Sequence, residues 1–217
     1  MKAEGWERIY RERGDLHFDV LPKIKKAASA FRGRNYKKVP DLGCGTGRHS
    51  LFLASQGFQV YATDTSETGI EIAQEKAESL HLKNIWFSLH DMRGIPFDSS
   101  FFDAVICTWT IYHNTLAGIE LTLNEIFRVL RRNGTFVTDF LSVGDSTYGR
   151  GREIERNTFI GAKKEEEDVP HHYVSRPELI RFFSGYEQLK IRASSNSYSD
   201  ESGEKYIRRY YDVEAVK

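Results

Sequence analysis

The chain has 217 residues, 31 Lys+Arg against 31 Asp+Glu, and is 40% hydrophobic and 29% charged. That length points to one domain with a core large enough to hold a pocket, and the apolar fraction excludes a disordered chain. A chain with no net charge lacks the broad basic field that gathers phosphates, so no nucleic-acid partner is expected.

Cys44 and Cys107 are too few for a disulfide framework or a four-sulfur metal site, and no metal is expected. The opening MKAEGWERIYRERGD is charged where a signal peptide is apolar, and no run approaches the ~18 apolar residues of a membrane span. A cytoplasmic protein with no membrane partner is expected.

Residues 1–34 read as an N-terminal helical cap, with Trp6, Ile9 and Tyr10, then Val20, Ile24, Ala27 and Ala28, at helical spacing. Lys37–Leu42 reads as a strand ending in glycines, and Thr46–Gly57 as a helix stopped by Gly57. Phe58–Thr63 is strand-like, and Ser66 can cap a helix running to about Leu82. Asn84–Leu89 is aromatic and β-prone. Phe102–Thr108 is a continuous apolar run, as in a strand buried on both faces. Leu116–Leu130 is an amphipathic helix ended by Arg131, Arg132, Asn133 and Gly134, and Thr135–Leu141 is the next strand. Residues 142–176, rich in Gly, Ser and charge with the run Lys163–Asp168, form a lid-like insert before a helix from Pro177 to about Phe183. Tyr186–Ser194 and Lys205–Ala215 read as strands that pair antiparallel.

Strands alternating with helices imply right-handed crossovers and a mostly parallel sheet covered on both faces. Ligands of such sheets bind beyond the carboxyl ends of the strands. After the first strand comes Asp41-Leu42-Gly43-Cys44-Gly45-Thr46-Gly47, whose alternate glycines permit a tight turn and close backbone approach. Asp41 can hold an ammonium and makes the turn less hospitable to a polyphosphate. The dinucleotide fingerprint G-x-G-x-x-G fails at Arg48, and no Gly-Lys-Ser/Thr of a P-loop is present. Asp64, after the second strand, can accept from ribose hydroxyls, and Asp91, after the third, can meet an adenine amino group.

With these residues the chain resembles the class I S-adenosylmethionine-dependent methyltransferases. DLGCGTG (Asp41–Gly47) looks like their first motif, ATDTS (Ala62–Ser66) their ribose-binding acid and HDM (His90–Met92) their adenine turn. FDAVICTWTIYH (Phe102–His113) and LRRNGTFV (Leu130–Val137) continue the pattern, so that the resemblance covers residues 37–141 in order. It implies one domain with a Rossmann-like seven-stranded sheet, order 3-2-1-4-5-7-6, strand 7 antiparallel. Trp6 and Tyr10 look like the Trp-x-x-x-Tyr opening of small-molecule members, where an N-terminal helix covers the cofactor. Pro40 stands where the family usually has an aliphatic residue, so a bend in the first strand is expected there.

The resemblance implies S-adenosylmethionine as cofactor, with Trp6, Tyr10, Asp41, Gly43, Cys44, Gly45, Gly47, Asp64, Thr65, Asp91, Met92 and Thr108 around it. It also implies in-line methyl transfer to a small-molecule acceptor, leaving S-adenosylhomocysteine. The acceptor is expected near Trp109, Tyr112, Asn114, Tyr148 and Tyr173. His113, His171 and His172 are the candidate bases, needed only if the acceptor must lose a proton. Nucleic-acid methylation is disfavoured because Thr108–Tyr112 replaces the Asn-Pro-Pro-Tyr of amino methyltransferases. The motifs are also compatible with a non-catalytic cofactor-binding module and, less well, with an NAD-dependent oxidoreductase, which Arg48 opposes.

Overall fold

A computed structural model describes residues 4–16, 19–162, 166–199 and 203–217; Lys163, Lys164 and Glu165 of the charge run lie outside the described residues. The helices are α1 (Glu4–Arg13), α2 (Pro22–Gly33), α3 (Arg48–Ser55), α4 (Glu67–Ser79), α5 (Leu116–Val129) and α6 (Arg176–Phe182). The strands are β1 (Lys38–Leu42), β2 (Gln59–Asp64), β3 (Ile85–Leu89), β4 (Phe102–Cys107) and β5 (Leu130–Ser142). Then follow β6 (Arg152–Glu155), β7 (Thr158–Ile160), β8 (His171–Val174), β9 (Gln188–Ser199) and β10 (Lys205–Val216).

Local chemistry sets the helix boundaries. Pro22 opens α2, whose buried stripe is Ile24, Ala27, Ala28 and Phe31. Ser66 caps α4 as expected, its Oγ accepting from Gly69 N at 3.0 Å. Thr115 does the same for α5. Helix α3 begins at Arg48, two residues after the expected start at Thr46. Gly47 has φ 84°, a left-handed conformation no right-handed helix contains, and its N–H closes a turn on Cys44 O at 3.0 Å. Arg131–Gly134 is not the expected turn: β5 starts at Leu130, directly after α5, with Leu130 registered against Phe102.

Strands β3, β2, β1, β4 and β5 are parallel, β10 runs antiparallel beside β5, and β9 antiparallel beside β10. This is the expected order 3-2-1-4-5-7-6, with β10 and β9 in the last two places. The insert is more regular than its composition suggests. β8 pairs parallel with β5 at Leu141↔Tyr173 and Ser142↔Val174, past the last β4 rung at Cys107↔Thr138, and β7 and β6 add antiparallel strands to it.

The apolar run of β4 is buried on both faces. Phe102, Val105 and Cys107 pack with Ile119, Leu123 and Ile126 of α5 and Leu179 of α6, while Ala104 and Ile106 pack with Ile24 and Phe31 of α2 and Leu53 of α3. Pro40 sits opposite Tyr61 in the β1–β2 ladder, which runs over all of β1, but pairing of β1 with β4 is reduced to Asp41↔Ile106. A residue without an amide proton thins a central ladder in this way. No helix among the described residues is long and apolar enough to cross a membrane.

One buried cation fastens the N-terminal helices to the sheet. Lys23 on α2 pairs with Asp139 of β5 and, at 2.8 Å, with Asp212 of β10. Lys23→Met leaves Asp139, 1% exposed, without its cation. Unfolding in urea is expected to cost about 3–5 kcal/mol less than for the wild type, with Asp139→Asn in the same chain recovering part of the loss.

Candidate active site at the carboxyl ends of the strands

The turn after β1 is built by the backbone of β2 and by one carboxylate. Gly43 N and Cys44 N donate to Thr63 O at 2.8 and 2.9 Å. Asp64 Oδ2 accepts from Gly45 N at 2.7 Å and Oδ1 from Ser66 N at 2.9 Å. Burial raises the Asp64 carboxyl pKa, against the pull of the Ser66 and Gly45 amides. Gly45 has φ 53°, and a Cβ there would overlap the Tyr10 hydroxyl, so only glycine lets α1 approach the turn.

Helix α1 is latched over the turn by Glu7. Its carboxylate accepts from Ser66 Oγ (2.7 Å), Thr68 N (3.1 Å) and Thr68 Oγ1 (2.8 Å) at the start of α4. These bonds, led by Ser66, lower its pKa to about 2, and the α4 N-terminus favours the negative charge. Trp6 and Tyr10 are thereby brought over the glycines.

Beneath them is a cavity of about 390 Å³, the size of a small-molecule site. It is lined by Trp6, Tyr10, Gly43, Cys44, Gly45, Asp64, Thr65, Asp91, Met92, Thr108, Trp109, His113 and Asn114, all expected near cofactor or acceptor. Asp41 and Gly47, also expected at the cofactor, do not line it. Asp41 is 2% exposed and accepts from Ser50 Oγ at 2.5 Å, tying β1 to α3, while Gly47 packs against Ala73 of α4. Asp91 lines the cavity but is paired with Arg93, whose Nε lies 2.9 Å from Oδ1; this pairing lowers the Asp91 pKa.

A smaller cavity of about 70 Å³ adjoins the first and shares Trp6, Trp109 and His113 with it. Tyr112, Glu166, His171, Tyr198 and Arg208 complete much of its wall. Trp109 sits in the left-handed region at φ 57°, its N–H donating to Asp139 Oδ1 at 3.0 Å.

The three candidate histidines separate. His113 stacks on Trp6 with centroids 5.1 Å apart and faces both cavities. His171 holds Val169 O through Nδ1 at 3.0 Å, and its buried Nε2 lies 2.6 Å from Glu166 Oε2 without hydrogen-bond geometry. His172, a candidate base, lines neither cavity: its Nδ1 meets Thr158 Oγ1 at 2.7 Å, and burial lowers its pKa despite Glu178. Tyr148 and Tyr173, expected near the acceptor, also line neither cavity. They pack on Phe159, with Tyr148 Oη donating to Asn157 Oδ1 at 2.8 Å and Tyr173 Oη 2.8 Å from Thr147 Oγ1. Burial pushes the Cys44 and Cys107 thiols up, so neither is a ready nucleophile. Among the described residues, His113, Glu166 and His171 are a group whose donor atoms, all within 4.8 Å of one another, could meet a metal ion.

Several lining residues carry no signal in the sequence. His49 accepts from Leu21 N at 3.4 Å and meets Thr108 Oγ1 at 3.1 Å through Nδ1, linking the α2 entry to the β4 loop. Arg48 lies 4.6 Å from the Trp109 ring. Val169 and Pro170 roof the larger cavity, and Glu166, Tyr198 and Arg208 wall the smaller.

Residues 39–134 match a family model described as a methyltransferase domain. The chain is 30% identical over 211 residues to the putative methyltransferase YqeM of Bacillus subtilis, covering 96% of this chain and 77% of that protein. It belongs to the class I S-adenosylmethionine-dependent methyltransferases. Matches to the next curated relatives span about half of their length, 47% and 50%. TehB from Haemophilus influenzae superposes with TM-score 0.72 at 19% identity, over 97% of this chain and 67% of that one. The 1,6-didemethyltoxoflavin-N1-methyltransferase of Burkholderia thailandensis gives 0.62 at 17%, over 90% and 78%. At these identities the likeness shows the methyltransferase fold.

S-adenosylmethionine is the cofactor of this methyltransferase, and the donor set fits it: a carboxylate at the end of β2, a second after β3 and a glycine turn without a phosphate-binding lysine.

The buried Asp41 gives this methyltransferase a pH signature. Burial raises its pKa from 3.8 to about 6, so the folded state holds this proton more tightly than the unfolded chain. The stability this contributes is full below the unfolded value and is lost as pH rises through about 6. Asp41→Asn is expected to exceed the wild type in stability at pH 8 by up to about 3 kcal/mol, with the gain vanishing near pH 4 in parallel thermal melts.

Proposed function

We propose that this chain methylates a small molecule seated in the smaller cavity, with the cofactor in the larger one. The observation that carries this reading is the wall they share: Trp6, Trp109 and His113 face both spaces. When bound, S-adenosylmethionine supplies a methyl group made electrophilic by its positive sulfur. The protein's part is to aim the acceptor and keep water away. Asp64 retains oxygen lone pairs for ribose hydroxyls after accepting from the two amides, and Asp91 and Met92 stand at the adenine side. Trp6, held by the Glu7 latch, closes the top.

His113 is the group for taking a proton from the acceptor. His171, held through Nδ1 by Val169 O, instead supports it by an edge-to-face ring contact with centroids 4.8 Å apart. Tyr112 is no rival base, since burial pushes its phenol well above the ordinary value. A small acceptor is in keeping with the toxoflavin-precursor methyltransferase, whose structure holds 1,6-didemethyltoxoflavin beside S-adenosylhomocysteine. It is also in keeping with a cavity closed by the insert.

Calorimetry with S-adenosylhomocysteine, followed by a metabolite screen for its production, tests the assignment. Asp64→Ala is expected to weaken S-adenosylhomocysteine binding by roughly 1–3 kcal/mol, and unchanged affinity removes Asp64 from the ribose site. His113→Gln is expected to lower kcat by about 10²-fold with an acceptor that must be deprotonated, while S-adenosylhomocysteine affinity holds within about threefold. A kcat unaffected by this change rules His113 out as the base.

A further inference from the structure

The smaller cavity is walled by one guanidinium whose charge Glu166 and Asp145 favour through space but to which neither is hydrogen-bonded. Arg208 of β10 is partly buried, its guanidinium carbon 4.7 Å from the Trp109 ring centroid and 4.8 Å from that of Tyr198. Among the described residues this guanidinium makes those two ring contacts and no hydrogen bond or ion pair. The carboxylates in the same wall are engaged elsewhere. Asp145 accepts from Thr147 N (2.8 Å), Thr147 Oγ1 (2.5 Å) and Arg209 N (2.7 Å), and Glu166 sits 2.6 Å from His171.

Stacking on aromatic rings uses the face of a guanidinium and leaves the in-plane N–H donors for another group. Drawing such a charge out of water without a hydrogen-bonded counter-ion is unfavourable. An anion arriving with the ligand removes that cost and gains a two-pronged contact. A metal at His113, Glu166 and His171 is the competing use of this space. Arg48 and Arg208 both lie against Trp109 and oppose a divalent cation there, while the Glu166 and Asp145 carboxylates of the same wall oppose an anion. The unbonded in-plane donors of Arg208 decide for an anion.

We propose that Arg208 binds an anionic group of the methyl acceptor, making the substrate class a small organic anion, a carboxylate or a phosphate ester. This rests on the smaller cavity being the acceptor site. Arg208 then sets specificity, holding the anion while the nucleophilic atom points past Trp109 and His113 toward the larger cavity.

The test uses the full chain saturated with S-adenosylhomocysteine and melted with acetate, benzoate or inorganic phosphate, beside acetamide and benzamide. At tenfold excess over its dissociation constant, at least one anion is expected to raise Tm by about 2–4 °C, with the amides inert. A response to the carboxylates or to phosphate identifies which anion the site takes. Arg208→Gln is expected to abolish the response and Arg208→Lys to retain part of it. S-adenosylhomocysteine affinity within about threefold of wild type in both variants shows that the fold and cofactor site are intact. Amides as effective as acids, no response to any anion, or a full response in Arg208→Gln overturns the proposal. A wild type that ignores S-adenosylhomocysteine overturns the methyl-transfer reading instead.

Discussion

Asp64 is the point at which three parts of the chain are held together. Its two oxygens accept from the glycine turn and from the start of α4, and the Ser66 hydroxyl at that same start donates to Glu7 on α1. The turn, the helix that follows β2 and the N-terminal cover are therefore positioned relative to one carboxylate. Its burial is tolerable because backbone amides replace the water it gives up. A carboxylate fixed by two amides in that setting is pre-organised to accept further donors without moving.

A second chain of contacts orders the wall between the two cavities. Lys23 neutralises Asp139, and Asp139 accepts from Trp109 N. The tryptophan is held in a backbone conformation that side chains with a Cβ seldom adopt. The surrounding ion pair stabilises this conformation, and the result is an aromatic plate standing between the two cavities with guanidinium groups against it. The N-terminal helices thus contribute at both cavities, through Glu7 at the larger and Lys23 at the smaller.

What is legible in the sequence follows the range of the interactions involved. The βα rhythm, the doubly buried run of β4 and the Ser66 cap depend on neighbours a few residues away, and the structure has all three. Most of the larger cavity's wall is legible too, because apart from Trp6 and Tyr10 on α1 its expected residues sit at or just after the end of a strand. Thr46 reads as a helix start and is not one, because the left-handed Gly47 is a property of the folded turn. Asp41 carries the family's motif yet faces Ser50, a contact that depends on how α3 docks. The wall of the smaller cavity is legible only in part: Trp109, Tyr112, His113 and His171 carry a signal in the sequence, and Glu166, Tyr198 and Arg208 do not. Tyr198 and Arg208 reach it through a long hairpin in which Asn196 faces Arg208, and Tyr198 lies beyond the expected end of that strand. Glu166 and His171 sit in a segment whose Gly, Ser and charge content hides the pairing of β8 with β5.

The insert has a consequence for both cavities. Its residues Val169 and Pro170 border the larger cavity, while Glu166 and His171 border the smaller. Two rungs of β8 on β5 hold these residues beside both cavities at once. One short stretch of pairing therefore shapes the two spaces together, so that a change in it alters both.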